Sequence, residues 1–378
     1  MIRINRYCLS NGLRLIHHQD KETQMVALNL LYDVGSKDEN PDCTGFAHLF
    51  EHLMFGGSVN IPDFDTPLQK AGGENNAWTS NDITNYYSVV PRQNVETAYG
   101  DTYMLLRPMA YKVHPYRWPT IGKRVEHIEQ VKLEDVKSFF YKHYAPNNAI
   151  LAVTGNISFE EAVELTEKWF GTIERRDIEP RNLPAEPVQK SARFQEVSRS
   201  VPLDSITKVY HMCRRMDKEY HCFDLLSDIL SNWRSSRLFQ RLVMDRKLFA
   251  DIDARITGDI DAGLFMIKGK VNKGISLEEA DRAIVEELRR LGENEVSAYE
   301  LQKVVNKFES NDLFSNINYL NKATNLAYYE LLDKAENIDS EIEKYKGITS
   351  RMLKEVAERA FVEENSSTLY YRADGDLS

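Results

Sequence analysis

Two histidines and a glutamate stand together in the stretch His48-Leu49-Phe50-Glu51-His52. On an α-helix, positions i and i+4 project from one face, so both imidazoles can reach a single metal ion. Glu51 follows His48 by three residues and adjoins His52, close enough to that face to act on water beside the metal. Zinc lowers the pKa of bound water toward neutrality, and a neighbouring carboxylate can take the proton and later hand it to a leaving amine. These residues could therefore hydrolyse an amide, with His48 and His52 as ligands of Zn2+ and Glu51 as general base. A satisfied polar cluster is the alternative, but three polar groups buried unpaired in an apolar helix would carry a heavy desolvation cost.

The elements that must position this group can be read from hydrophobic periodicity. Residues 44–55 (TGFAHLFEHLMF) have apolar positions at helical spacing, Thr44 as N-cap and Gly56-Gly57 as a stop, which predicts a largely buried helix. Around it, residues 12–18 and 25–34 read as strands, as do 84–90 and 148–154; Leu133–His143 reads as an amphipathic helix, and a helix capped by Ser158 runs to about Phe170. Residues 175–193 contain three prolines, many charges and few large apolar side chains, so they read as a linker. Beyond it the order recurs, with strands at 205–212 and 263–271, helices from 223, at 276–291 and at 350–361, and a closing strand at 367–372. The expectation is an α+β protein of two homologous halves, 1–174 bearing the histidines and 194–378. Each half should be a mixed or antiparallel sheet with helices packed mainly on one face.

The chain has 378 residues, enough for two cores, and its 48 Lys+Arg against 58 Asp+Glu leave a net charge of −10. The basic runs are short and interleaved with acids, which excludes a general nucleic-acid binder. No apolar run approaches the length of a membrane span, and no signal-type apolar region follows Met1. Cys8, Cys43, Cys213 and Cys222 are widely spaced without a C-x-x-C pair. A cytoplasmic protein, without nucleic-acid or membrane partners, is expected.

Downstream of the histidines, Gly72-Gly73-Glu74-Asn75-Asn76-Ala77-Trp78-Thr79-Ser80-Asn81-Asp82-Ile83-Thr84-Asn85-Tyr86-Tyr87 resembles the G-G-x-x-N-A-x-T-x-x-D-x-T-x-Y-Y segment of the insulinase/pitrilysin (M16) metallopeptidases, whose motif is H-x-x-E-H. The likeness extends to Gly45-Phe46-Ala47-His48, His114-Pro115-Tyr116, Ile121-Gly122, Tyr144-Ala145-Pro146-Asn147-Asn148 and, more weakly, Ser235-Ser236-Arg237-Leu238-Phe239. The resemblance implies zinc on His48 and His52, Glu51 as base, and an extended peptide substrate added as a strand beside Asn76 and Ala77. Read without the family, Asn75-Asn76 after Gly72-Gly73 is a turn. The chain length matches the smaller two-domain members, which pair as clamshells around a chamber.

Two departures qualify the likeness. The family's third zinc ligand is a glutamate in a V-V-x-E-E stretch, but here Asn94-Val95-Glu96-Thr97-Ala98 runs straight into Tyr99, where relatives have a helical segment on the order of forty residues. The chain as written either omits that stretch, the preferred reading, or has lost it. Glu129 falls near the expected spacing, yet its surroundings match a later helix. The substrate-holding Arg and Tyr of a segment resembling S-R-L-x-Q-x-L-R-E-x-x-G-x-x-Y are also missing; Val243 and Ala250 stand in their places, and Arg237 and Arg246 read as structural. The expectation is a zinc endopeptidase subunit acting in a dimer, preferably a heterodimer with an Arg/Tyr-bearing homologue rather than a homodimer. The alternative is an inactive assembly or substrate-docking subunit of the same fold.

Overall fold

A computed structural model describes residues 2–21, 26–56, 75–87, 99 and 101–374. The first half runs β1 (Asn5–Cys8), β2 (Arg14–Gln19), β3 (Val26–Tyr32), α1 (Phe46–Leu53), β4 (Asn76–Thr79), β5 (Thr84–Tyr87), α2 (Thr102–Ala110), α3 (Leu133–His143), β6 (Ala149–Gly155) and α4 (Phe159–Phe170). The second runs β7 (Arg193–Arg199), β8 (Ser205–His211), α5 (Tyr220–Leu230), β9 (Phe249–Ile256), β10 (Leu264–Val271), α6 (Leu277–Glu293), α7 (Ala298–Ser315), α8 (Tyr319–Leu332), α9 (Ser350–Ala360) and β11 (Ser366–Ala373). Several helices begin where a short side chain can satisfy a free backbone N–H. Ser158 accepts from Glu161, Ser276 from Glu279 and Thr349 from Met352.

The strands form two sheets, ordered β1-β2-β6-β3-β5-β4 and β7-β11-β8-β10-β9. In the first, β2 runs parallel to β6 and the other pairs are antiparallel; in the second, β7 runs parallel to β11 and the rest are antiparallel. Leaving β1 aside, the two orders superimpose strand for strand, and β4 and β9 occupy the same terminal place. The sequence therefore encodes one α+β unit twice.

The chain divides into two compact units: residues 1–93, 118–183 and 311–341, and residues 94–117, 184–310 and 342–378. The expected division into 1–174 and 194–378 is corrected in two places. α2, from the first half, joins the second unit, where Leu106, Met109 and Ala110 pack on Val209, Met266, Leu369 and Tyr371 of the second sheet. α8, from the second half, packs on β3 and β6 of the first. Hydrophobic periodicity shows that a helix has a face to bury, but not which sheet receives it. The second sheet's other face carries the larger core, beneath α5, α6 and α9. No helix among the described residues is long and apolar enough to cross a membrane.

Candidate metal centre and peptide edge

α1 buries Phe46, Ala47 and Phe50, and Phe50 stacks on Phe139 and Phe140 of α3 at ring-centroid distances of 5.6 and 5.8 Å. The helix is not largely buried, as its apolar content suggests. His48 and Glu51 are half-buried, while His52, Leu53 and Met54 are exposed. The three polar residues thus sit on the open side, and burial cost says nothing for or against a metal.

Thr44 is not the cap either. Gly45 occupies the N-cap with φ of 101°, a left-handed conformation favoured by glycine, and the Thr44 hydroxyl meets His127 Nδ1 at 3.0 Å. The free N–H groups of the first turn are taken by Glu39, whose carboxyl oxygens accept from Gly45 at 2.8 Å and Ala47 at 3.0 Å. Burial pushes this carboxyl up to about 8, against the pull of the Gly45, Ala47 and Phe46 N–H groups.

On the open side, His48 Nε2 and His52 Nε2 face each other at 3.2 Å, with the ring planes at 82°. Two imidazole nitrogens on a tetrahedral zinc, each at roughly 2.0–2.1 Å, stand about 3.3 Å apart. The pair therefore fits a shared metal ion in both donor type and spacing. A Glu51 carboxylate oxygen lies 3.6 Å from His48 Nδ1, an electrostatic contact rather than a hydrogen bond. Burial raises the Glu51 carboxyl, but the His48 imidazole and the Thr79 hydroxyl, then His52, outweigh it and hold the group below the usual carboxylate value.

β4 ends the first sheet as described, pairing Asn76 with Tyr87 and Ala77 with Tyr86 on β5. Asn76 is thus in a strand, not the turn its local sequence suggests. The Ala77 N–H bonds the Asn76 side-chain oxygen at 2.7 Å instead of β5. In an antiparallel strand the N–H and C=O of one residue point the same way, so Ala77 directs both away from β5. The Thr79 hydroxyl, on the same strand, lies 3.5 Å from the Ala47 carbonyl, tying the edge to α1.

Other expected features divide clearly. Glu129 is exposed on the short helix Glu126–Glu129, and among the described residues no group of three His, Cys, Asp or Glu side chains is gathered to hold a metal. The Gly72-Gly73 turn and residues 94–98, which precede the missing third-ligand stretch, lie outside the described residues. Arg237 forks onto Glu300 with both N–O distances 2.9 Å, and Arg246 pairs with Glu286 at 2.7 Å, so each arginine is held by a glutamate. Sequence reasoning missed Glu39 and Thr79. Thr79 lay inside the matched segment, whereas nothing local marks Glu39.

Residues 14–99 match the sequence model described as Insulinase (Peptidase family M16), and residues 130–308 match that described as Peptidase M16 inactive domain. Zinc protease PqqE of Helicobacter pylori is 26% identical, with 96% of this chain and 91% of that protein aligned. An uncharacterized zinc protease of Bacillus subtilis, YmxG, is 23% identical over 97% of this chain and 98% of its own. The alignment to the Helicobacter protein runs over 409 positions although this chain has 378 residues, so gaps open along it. Among solved structures, a protease from Helicobacter pylori superposes with a TM-score of 0.89 at 25% identity, covering 98% of this chain and all of that one. A peptidase M16 inactive domain from Pseudomonas fluorescens shares the fold, with a TM-score of 0.84 at 14% identity and 98% of each chain covered.

Proposed function

Since the chain belongs to the insulinase (M16) peptidase family, we propose that it is a zinc-dependent endopeptidase acting on extended peptides inside a dimeric chamber, as the zinc-bearing subunit of a pair. The observation that carries this reading is the 3.2 Å convergence of His48 and His52 Nε2 beside a half-buried carboxylate. His48 and His52 would hold the metal through neutral ring nitrogens. A zinc ion, when bound, supplies Lewis acidity that acidifies water and polarises a carbonyl. Glu51, kept ionised at neutral pH, takes the water proton on a carboxylate oxygen and gives it to the leaving amine. The Ala77 C=O aligns the substrate backbone as an added strand, which fixes the scissile bond relative to α1 through the Thr79 contact. The free cysteines suit a reducing, cytoplasmic setting.

The test is Glu51→Gln, assayed with a quenched peptide and by zinc content. Zinc should remain near one per chain while turnover falls by about 10²- to 10⁴-fold; full turnover in the variant would sink the assignment. A second reading, a docking subunit without activity, is favoured by the missing V-V-x-E-E stretch and by Val243 and Ala250 at the Arg and Tyr positions. It predicts no zinc and no turnover, alone or mixed with an Arg/Tyr-bearing homologue. Turnover that appears only on mixing supports the heterodimer.

A further inference from the structure

The segment from Gly35 to Glu39 touches both halves of the candidate site. At one end Glu39 holds the first turn of α1. At the other, Ser36 N–H donates to Ser80 O at 3.2 Å and Lys37 N–H to Asn81 O at 3.0 Å, both in the turn between β4 and β5. Lys37 Nζ also meets Asp82 Oδ1 at 2.7 Å, with both side chains buried. The approach is close enough that a Cβ on Gly35 would stand 2.3 Å from Asn81 O. One short segment therefore sets the metal-binding helix against the peptide edge.

This segment is itself held from the stretch expected to be a linker. Arg181 Nε lies 2.6 Å from Asp38 Oδ1, and its Nη2 donates to Asp38 Oδ2 at 3.2 Å. Its Nη1 meets Asp33 Oδ1 at 2.6 Å, and Nη2 also reaches the Asp33 carbonyl. Asp38 is buried and accepts from Gly35 N–H at 3.0 Å, so the guanidinium anchors the segment through a fork that a lysine cannot copy.

We propose that Arg181, acting through Asp38 and the Gly35–Glu39 segment, is a positioning residue that fixes the β4 edge relative to α1. The functional half of this inference rests on the peptidase reading above. Arg181 touches neither metal ligand nor peptide edge. It sets the register between them, and the chain leaving the first unit is thereby coupled to the site.

Two variants test this, Arg181→Lys and the charge-neutral pair Arg181→Gln with Asp38→Asn, which leaves no buried charge unpaired. Amide exchange should quicken by about tenfold or more at Lys37, Ala47 and the β4–β5 turn while α4 keeps its protection. In zinc-loaded protein, kcat/KM should fall by about tenfold with zinc affinity within about twofold, because a tenfold rise in rare openings leaves α1 formed in nearly every molecule. Unchanged local exchange overturns the proposal. So does a general loss of folding midpoint with kcat/KM per zinc-loaded molecule intact, which is what a merely structural pair would give. If the wild type turns over no peptide, the peptidase reading fails, and exchange still decides whether Arg181 holds the segment.

Discussion

Replacing Glu39 by alanine should release α1 more than any exposed substitution on the helix itself. The side chain accepts from two buried N–H groups, those of Gly45 and Ala47. A buried donor left without a partner costs about 1–3 kcal/mol, so the variant loses roughly 3 kcal/mol, concentrated at the helix N-terminus. An eight-residue helix has little stability of its own, so this loss becomes a local opening equilibrium shifted by roughly a hundredfold. Amide exchange along Phe46–Leu53 should quicken by that factor and apparent zinc affinity should drop, since the two imidazoles meet only when the helix is formed. Glu39→Gln keeps one acceptor oxygen and should lose about half as much. The pH dependence has a definite sign. Because the folded carboxyl is raised from 4.5 to about 8, its contribution is full below about pH 4.5 and is lost as pH rises through about 8. Wild type should therefore lose stability relative to Glu39→Gln across that window. Exchange in Glu39→Ala within threefold of wild type would refute the capping argument.

The opposite sign is expected at Glu300. Its hydrogen bonds to Arg237 hold the carboxyl down to about 2, so its contribution is present above about pH 4.5 and is lost as pH falls through about 2. After discounting for partial exposure this is about 1–2 kcal/mol, and Glu300→Gln should flatten the acid limb of a urea-midpoint profile; an unchanged limb would show that the fork adds nothing. Phe50→Ala should destabilise the first unit by about 3–5 kcal/mol, because the ring is buried against Phe139, Phe140 and Tyr144, whereas Leu53→Ala should cost under about 0.5 kcal/mol. Equal losses in urea melts would mean that the buried face of α1 is misassigned.

Much of the site's chemistry was legible because it is local. Helical spacing alone puts His48 and His52 on one face, and the Ser158 cap announces itself beside apolar periodicity. Where sequence reasoning failed, the deciding partner was distant. Leu49, Leu53 and Met54 make α1 look apolar all round, and only the packing of α3 decides that Phe50 goes inward while Leu53 stays 47% exposed. That error removed one argument for a metal, the cost of burying unpaired histidines, and left the 3.2 Å spacing, which suits a shared ion as well as an imidazole–imidazole hydrogen bond. Without the family likeness Asn76 reads as a turn beside Gly72-Gly73, whereas that likeness places it on a strand, where it pairs with Tyr87. The residues that set the site's geometry were the least visible of all. Lys37 and Glu39 are single charged residues with no period to mark them, and Arg181 lies 143 residues from Asp38. A chemical motif can be compact because its atoms must meet one ion, while the frame that aligns helix and strand must span the unit. On the proposed peptidase reading, the motif reports which reaction would be open to this chain, and the long-range pairs would decide whether β4 and α1 are in register to perform it.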